Sequence, residues 1–201
     1  MRKSLLVLLT LVITTLTIAQ TPKNIFKTFE DFKSNKPSDY VEFRLKKRTG
    51  GNVFMTGGIT NYRLKKISPK TKYEDLTKKT WGVLVNDSIY INSYPYSKIV
   101  GFNKIIENGY YSYFIGEPAR LKDEQISLGM INSDEPQKLV CCKTSYVILP
   151  NGTVKWLSPE LLATLIKDNK TLKSELKVDN IQQEDAYRMF DYLKRYNATK
   201  Q

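Results

Sequence analysis

The sequence has 201 residues and not one histidine. That absence removes the commonest general base near neutral pH, the Ser-His-Asp and Cys-His nucleophile arrangements, and every zinc site that uses an imidazole. Cysteine is nearly as scarce: the only two are neighbours, Cys141 and Cys142. A disulfide prefers Cα atoms about 5.5 Å apart, whereas a trans peptide fixes adjacent Cα atoms at about 3.8 Å. The pair reads as two half-buried free thiols, with a vicinal or intermolecular bridge as the alternative. Two sulfurs alone do not complete a zinc site.

Long apolar runs are missing after the first residues. Arg2 and Lys3 precede the uncharged stretch Leu5 to Ile18, and Thr17-Ile18-Ala19 places small residues before Gln20. A membrane span needs roughly 20 apolar residues, so this shorter stretch predicts a signal peptide over 1–19, cleaved before Gln20. No cysteine stands at the cleavage point, which argues against a lipid anchor. Residues 20–201 are then one domain without a transmembrane helix, placed in the periplasm or outside the cell.

Negative charge is also in deficit: 20 acidic residues face 32 Lys and Arg, for a net charge of +12 that falls by two with the leader. The excess favours an anionic envelope glycan or lipid, or another envelope protein; export makes nucleic acid an unexpected partner. Lysine-rich surfaces also serve solubility alone.

What is present reads as short strands followed by helices. Thr28 precedes Phe29-Glu30-Asp31-Phe32 as the N-cap of a short helix. Val41 to Arg48 alternates apolar and charged residues as a half-buried strand, and Ile59 to Ile67 follows as another. Between them, Thr49-Gly50-Gly51-Asn52 turns the chain toward Val53 to Met55. Lys70 to Thr80 suits a loop or a short helical turn. Hairpins are expected around Asn86-Asp87-Ser88 and, most strongly, around Asn108-Gly109, where a type I′ turn requires positive φ at both central residues. Leu121 to Gln137 reads mostly as loop, with Ile126 to Met130 as a candidate short strand, and Lys138 to Leu149 and Thr153 to Leu157 flank a turn at Pro150-Asn151-Gly152. Ser158-Pro159 opens a helix, Thr171 to Lys177 adds a turn or two, and a last helix starts near Asp179 or Asn180. The expected fold class is α+β: an antiparallel hairpin meander, flat or curled into a partial barrel, with a short N-terminal helix and C-terminal helices packed on it.

The leader ending Thr-Ile-Ala-Gln, Thr28-Phe29-Glu30-Asp31-Phe32 with Asn35-Lys36-Pro37-Ser38, Trp81-Gly82 before Tyr90-Ile91-Asn92, and Gly109-Tyr110-Tyr111 together resemble small exported proteins of Bacteroidota. The closing Leu165-Ile166-Lys167-Asp168-Asn169 and Tyr192-Leu193-Lys194-Arg195-Tyr196-Asn197 resemble their tails. These are families of unknown function, so the resemblance implies export from a Gram-negative cell and no activity, cofactor or site residue.

Three residue sets are candidate sites. Arg44, Lys46 and Arg48 fall on one strand face, extended by Arg63 and Lys65 if the two strands pair, and suit a sulfated or phosphorylated polymer. Trp81, Tyr94, Tyr96, Tyr111 and Tyr113 would stack on sugars if exposed in a row, although aromatics also fill sheet cores. Tyr90 and Tyr110 join that aromatic group, but Tyr110 and Tyr111 cannot share one strand face. The acidic neighbours Glu30-Asp31, Glu74-Asp75, Asp123-Glu124, Asp134-Glu135 and Glu184-Asp185 would serve a glycan-acting enzyme only if two carboxyls met across a cleft. Asp87-Ser88-Ile89 resembles the O-glycosylation pattern of exported Bacteroidota proteins, with Ser88 as acceptor. The function expected is a non-enzymatic binding module of the cell envelope; a small-ligand carrier with a barrel pocket is the alternative, and a carboxylate enzyme the third. No cofactor is expected.

Overall fold

The computed structural model describes residues 22–49, 62–116 and 144–200. The leader, Val53 to Met55, Cys141-Cys142, Asp123-Glu124 and Asp134-Glu135 lie outside them. Among the described residues, nine strands form one antiparallel sheet curled into a half-barrel and covered by helices, an α+β fold.

Local chemistry explains where the elements begin. The short strand β1 (Ile25–Phe26) leads into α1 (Phe29–Lys33), whose start is a full capping box: the Asp31 amide donates to Thr28 Oγ1 while the Asp31 carboxylate accepts from the Thr28 amide. Strands β2 (Glu42–Lys47) and β3 (Tyr62–Ser68) pair antiparallel. A 3-10 turn (Lys70–Lys72) and a π-helical turn (Asp75–Lys79) follow. Strands β4 (Gly82–Val85) and β5 (Ser88–Asn92) join through Asn86-Asp87 with φ of 46° and 57°, the two positive values a type I′ turn demands.

After α2 (Tyr94–Ser97), strands β6 (Phe102–Glu107) and β7 (Ser112–Gly116) meet with a bulge between Ile105 and Glu107. Here the expected two-residue turn is not formed. The connection runs over four residues, 108–111, because the distant Asn197 holds the backbone of Tyr111: it accepts from the Tyr111 amide at 2.8 Å and donates to the Tyr111 carbonyl at 2.9 Å. Gly109 permits that approach, since a Cβ there would lie 2.4 Å from Asn197 Nδ2.

Strands β8 (Thr144–Ile148) and β9 (Val154–Trp156) complete the sheet. Then α3 (Pro159–Leu165) begins under a Ser158 cap, and α4 (Lys170–Asp179) begins under an Asn169 cap. Asn180, at φ 45°, closes α4 in the left-handed conformation, so the last helix, α5 (Ala186–Ala198), starts at Ala186 rather than near Asp179.

Alternation along the strands divides the core. One face of the sheet packs Phe26, Phe32, Ile91, Ile105, Phe114, Tyr146 and Ile148 together. The opposite face is shared. Its β7–β8 end seats Tyr113 and Val147 against Leu162, Met189, Phe190 and Leu193 of the helices. Its other end seats Val83, Tyr90 and Phe102 against Leu64 of the hairpin and Leu76 of the π-helical turn.

Candidate functional site

The register of the β2–β3 hairpin brings four of the candidate cations onto one surface. Arg44 lies directly opposite Lys65, and Lys46 directly opposite Arg63. All four are exposed, while Phe43, Leu45 and Leu64 of the same strands turn to the core. Like charges placed directly across a ladder oppose pairing, so this arrangement works against the hairpin's own stability. Among the described residues no ion pair joins any of the four.

Arg48 does not belong to the row. β2 ends at Lys47, the alternation ends with it, and Arg48 is buried at 9% exposure.

Next to the cationic face, β3 is irregular. Glu42 pairs with Ser68 and Arg44 with Lys65, so three steps on β3 oppose two on β2, and Lys66 takes a positive φ of 50° within that bulge. A groove of about 550 Å³ opens there, bounded by β3, the turns at 70–79 and the entry into β6. Arg63, Lys65, Lys66 and Lys70 line it, with Leu64, Ile67 and Phe102 as apolar wall and Tyr73 and Thr77 along the helical side. Among the described residues no carboxylate lines this groove. Two acids of the adjacent helical segment are engaged elsewhere: Glu74 binds Lys78 and Asp75 binds Lys79, each at 2.8 Å. The hydrogen bond from the paired lysine, and then its charge, holds both carboxyls below their ordinary range. Each ion pair joins residues four apart on the helical segment, and among the described residues no ion pair neutralises the groove's own lysines.

The aromatic set does not form a surface row. Tyr111 and Tyr113 are core residues, Tyr113 stacked on Phe190 at 4.6 Å and Tyr111 on Tyr196 at 5.6 Å. Burial, and then the Glu107 carboxylate that its hydroxyl meets at 2.7 Å, push the Tyr113 phenol up. Trp81 stacks on Phe32 at 4.1 Å, and Tyr96 packs on Phe114 and Tyr146, on the opposite face of the sheet. Tyr94 is half-buried with Lys98 over its ring. Hydrophobic burial outcompetes exposure for rings set on strands with two covered faces. The aromatic that does stand at the cationic groove is Tyr73, 51% exposed. It was missed because it sits in a lysine-rich stretch with no strand period; its spacing of four from Thr77 was the available sign.

The described acidic neighbours serve local structure. Asp31 closes the α1 capping box, Glu74 and Asp75 form the pairs above, and Asp185 accepts from the Gln182 amide and faces Arg188. Among the described residues no group of three or more Cys, Asp and Glu side chains gathers in metal-binding geometry. Ser88, half-buried, opens β5 directly after the exposed Asn86-Asp87 turn. No described helix is long and apolar enough to cross a membrane.

The model of a family of unknown function, DUF6563, matches residues 24–200, from β1 to the end of α5. The chain belongs to this family. Among curated proteins and among solved structures nothing matches it. The cationic hairpin, the bulged β3 and the groove all fall within the DUF6563 segment.

Proposed function

We propose that the protein is an exported, non-enzymatic binding module whose β2–β3 hairpin holds an anionic glycan of the cell envelope. The carrying observation is the cross-strand register, with Arg44 opposite Lys65 and Lys46 opposite Arg63. Four exposed cations on one patch of sheet suit a linear polyanion with esters along its length. The leader at 1–19 and the resemblance to exported Bacteroidota proteins support the envelope as the place where such a partner is met.

Binding of a sulfated polysaccharide tests the reading. Affinity should fall steeply between about 50 and 500 mM salt, because exposed charges are screened over that range. Reversing two cations, Arg44→Glu with Lys46→Glu, should weaken binding at least about tenfold at low salt, whereas Arg48→Gln should not reproduce that loss by charge alone. Salt-insensitive binding, or equal affinity of the reversed variant, defeats the electrostatic reading. Tight binding to anionic lipid vesicles in place of the polysaccharide would reassign the partner.

The carrier alternative receives less support. The sheet face that a barrel ligand would need is filled by Phe26, Phe32, Phe114 and Tyr146, with ring centroids at 6.2 Å for Phe26–Phe32 and 5.2 Å for Phe114–Tyr146.

A further inference from the structure

We propose that the groove beside the hairpin is a pocket for a single sugar ring bearing a phosphate or sulfate ester. This rests on the reading of the hairpin as an anion-binding surface and names the unit of the ligand that the surface selects. Its volume of about 550 Å³ lies within the range of about 300 to 1,000 Å³ common for small-ligand sites, far more than one inorganic anion fills. Among the described residues its charge is of one sign: Arg63 and Lys65 are shared with the exposed face, and Lys66 and Lys70 are added, without a lining carboxylate.

The backbone is also shaped for this. In a regular strand Lys65 and Lys66 would point to opposite faces. The extra residue in β3 and the positive φ at Lys66 interrupt that alternation beside the groove, whose lining runs through the consecutive residues 63–67. Bulges re-aim side chains and cluster beside functional sites, and a lysine held at positive φ carries a conformational cost.

One further group matches a sugar rather than a bare anion. Tyr73 offers a half-exposed ring face for stacking on pyranose C–H groups.

Calorimetric titration of the full exported chain separates the possibilities, using glucose 6-phosphate, glucose 6-sulfate, glucose, inorganic phosphate and inorganic sulfate. One or both esters should bind at least about tenfold more tightly than glucose and than the matching inorganic anion. Tyr73→Ala should remove that advantage. Its unchanged melting temperature would show that the fold is intact. Lys70→Gln should weaken the esters and leave glucose unaffected. Equal affinity for ester and inorganic anion, or an indifferent Tyr73→Ala, overturns the pocket. If the polysaccharide still binds and is lost with Arg44→Glu and Lys46→Glu, only the pocket has failed; if it does not bind either, the hairpin reading falls with it.

Discussion

Asn197 shows how one side chain decides a local structure 86 residues away. It is buried, accepts from the Tyr111 amide, and donates to the Tyr111 carbonyl and to Glu107 Oε1 at 3.1 Å. Asn197→Ala strands two backbone groups and should cost about 2 to 3 kcal/mol in urea unfolding. Gly109→Ala should be destabilising in the wild type, because its Cβ meets the pinned amide, and close to neutral once Asn197 is alanine. Additive losses in that cycle would show that the contact is not what excludes a side chain at position 109. A second residue-scale test concerns Asp168. The Lys200 ammonium and the Tyr196 hydroxyl, both at 2.7 Å, bring its carboxyl down from 3.8 to about 2. A depressed folded value means that the contribution is complete above the unfolded value of about 3.8 and is lost as pH falls toward 2. Wild type should therefore exceed Asp168→Asn in urea midpoint at pH 6, and the difference should shrink when both are measured at pH 2. A gap that stays constant with pH would remove the carboxylate's charge from the explanation.

At the scale of elements, the β2–β3 hairpin sets binding against stability. Replacing Arg44 by glutamate turns a like-charge cross-strand pair with Lys65 into an attractive one, which should raise stability by about 0.5 to 1 kcal/mol while weakening polyanion binding. A variant that loses both would indicate that Arg44 supports the fold, and the surface would have no claim to a function kept at the expense of stability. This hairpin was legible in the sequence because period-two alternation is a strong local signal: Val41, Phe43 and Leu45 inward, Arg44 and Lys46 outward. Caps were legible for the same reason, since Thr28 with Asp31 and Ser158 with Pro159 act within one turn. What failed depended on remote partners or on where an element stops. Asn108-Gly109 carries a type I′ signature that Asn197 overrides, whereas Asn86-Asp87, without such a partner, forms the turn its residues favour. Arg48 fits the alternation by arithmetic, yet β2 ends one residue earlier. Asn180 reads equally well as a helix start and as the left-handed close of α4, and only packing chooses. The groove was invisible for a related reason: its Lys66 and Lys70 belong to separate elements, brought together by a bulge that leaves no sequence period.

Over the whole molecule, cations stand in two kinds of surroundings. On the helical end three of them are paired: Arg195 with Glu175, Lys200 with Asp168 at 2.7 Å, and Arg188 with Asp179 at 3.4 Å. On the hairpin end Arg44, Lys46, Arg63 and Lys65 face one another, and the chain's net charge of +12 reinforces their repulsion. Stability and binding should consequently respond to salt with opposite signs. The Debye length shrinks from about 30 Å at 0.01 M to about 10 Å at 0.1 M, which relieves repulsion across the cationic face as it weakens attraction to a polyanion. Thermal unfolding of the wild type should move upward by about 1 to 3 °C over that range, on the scale expected for a few tenths of a kcal/mol. The variant carrying Arg44→Glu and Lys46→Glu should lose this rise or reverse it, because salt then screens attractive cross-strand pairs. Equal salt responses in the two proteins would place the dominant repulsion elsewhere on the surface and separate the hairpin's charge pattern from the stability of the fold.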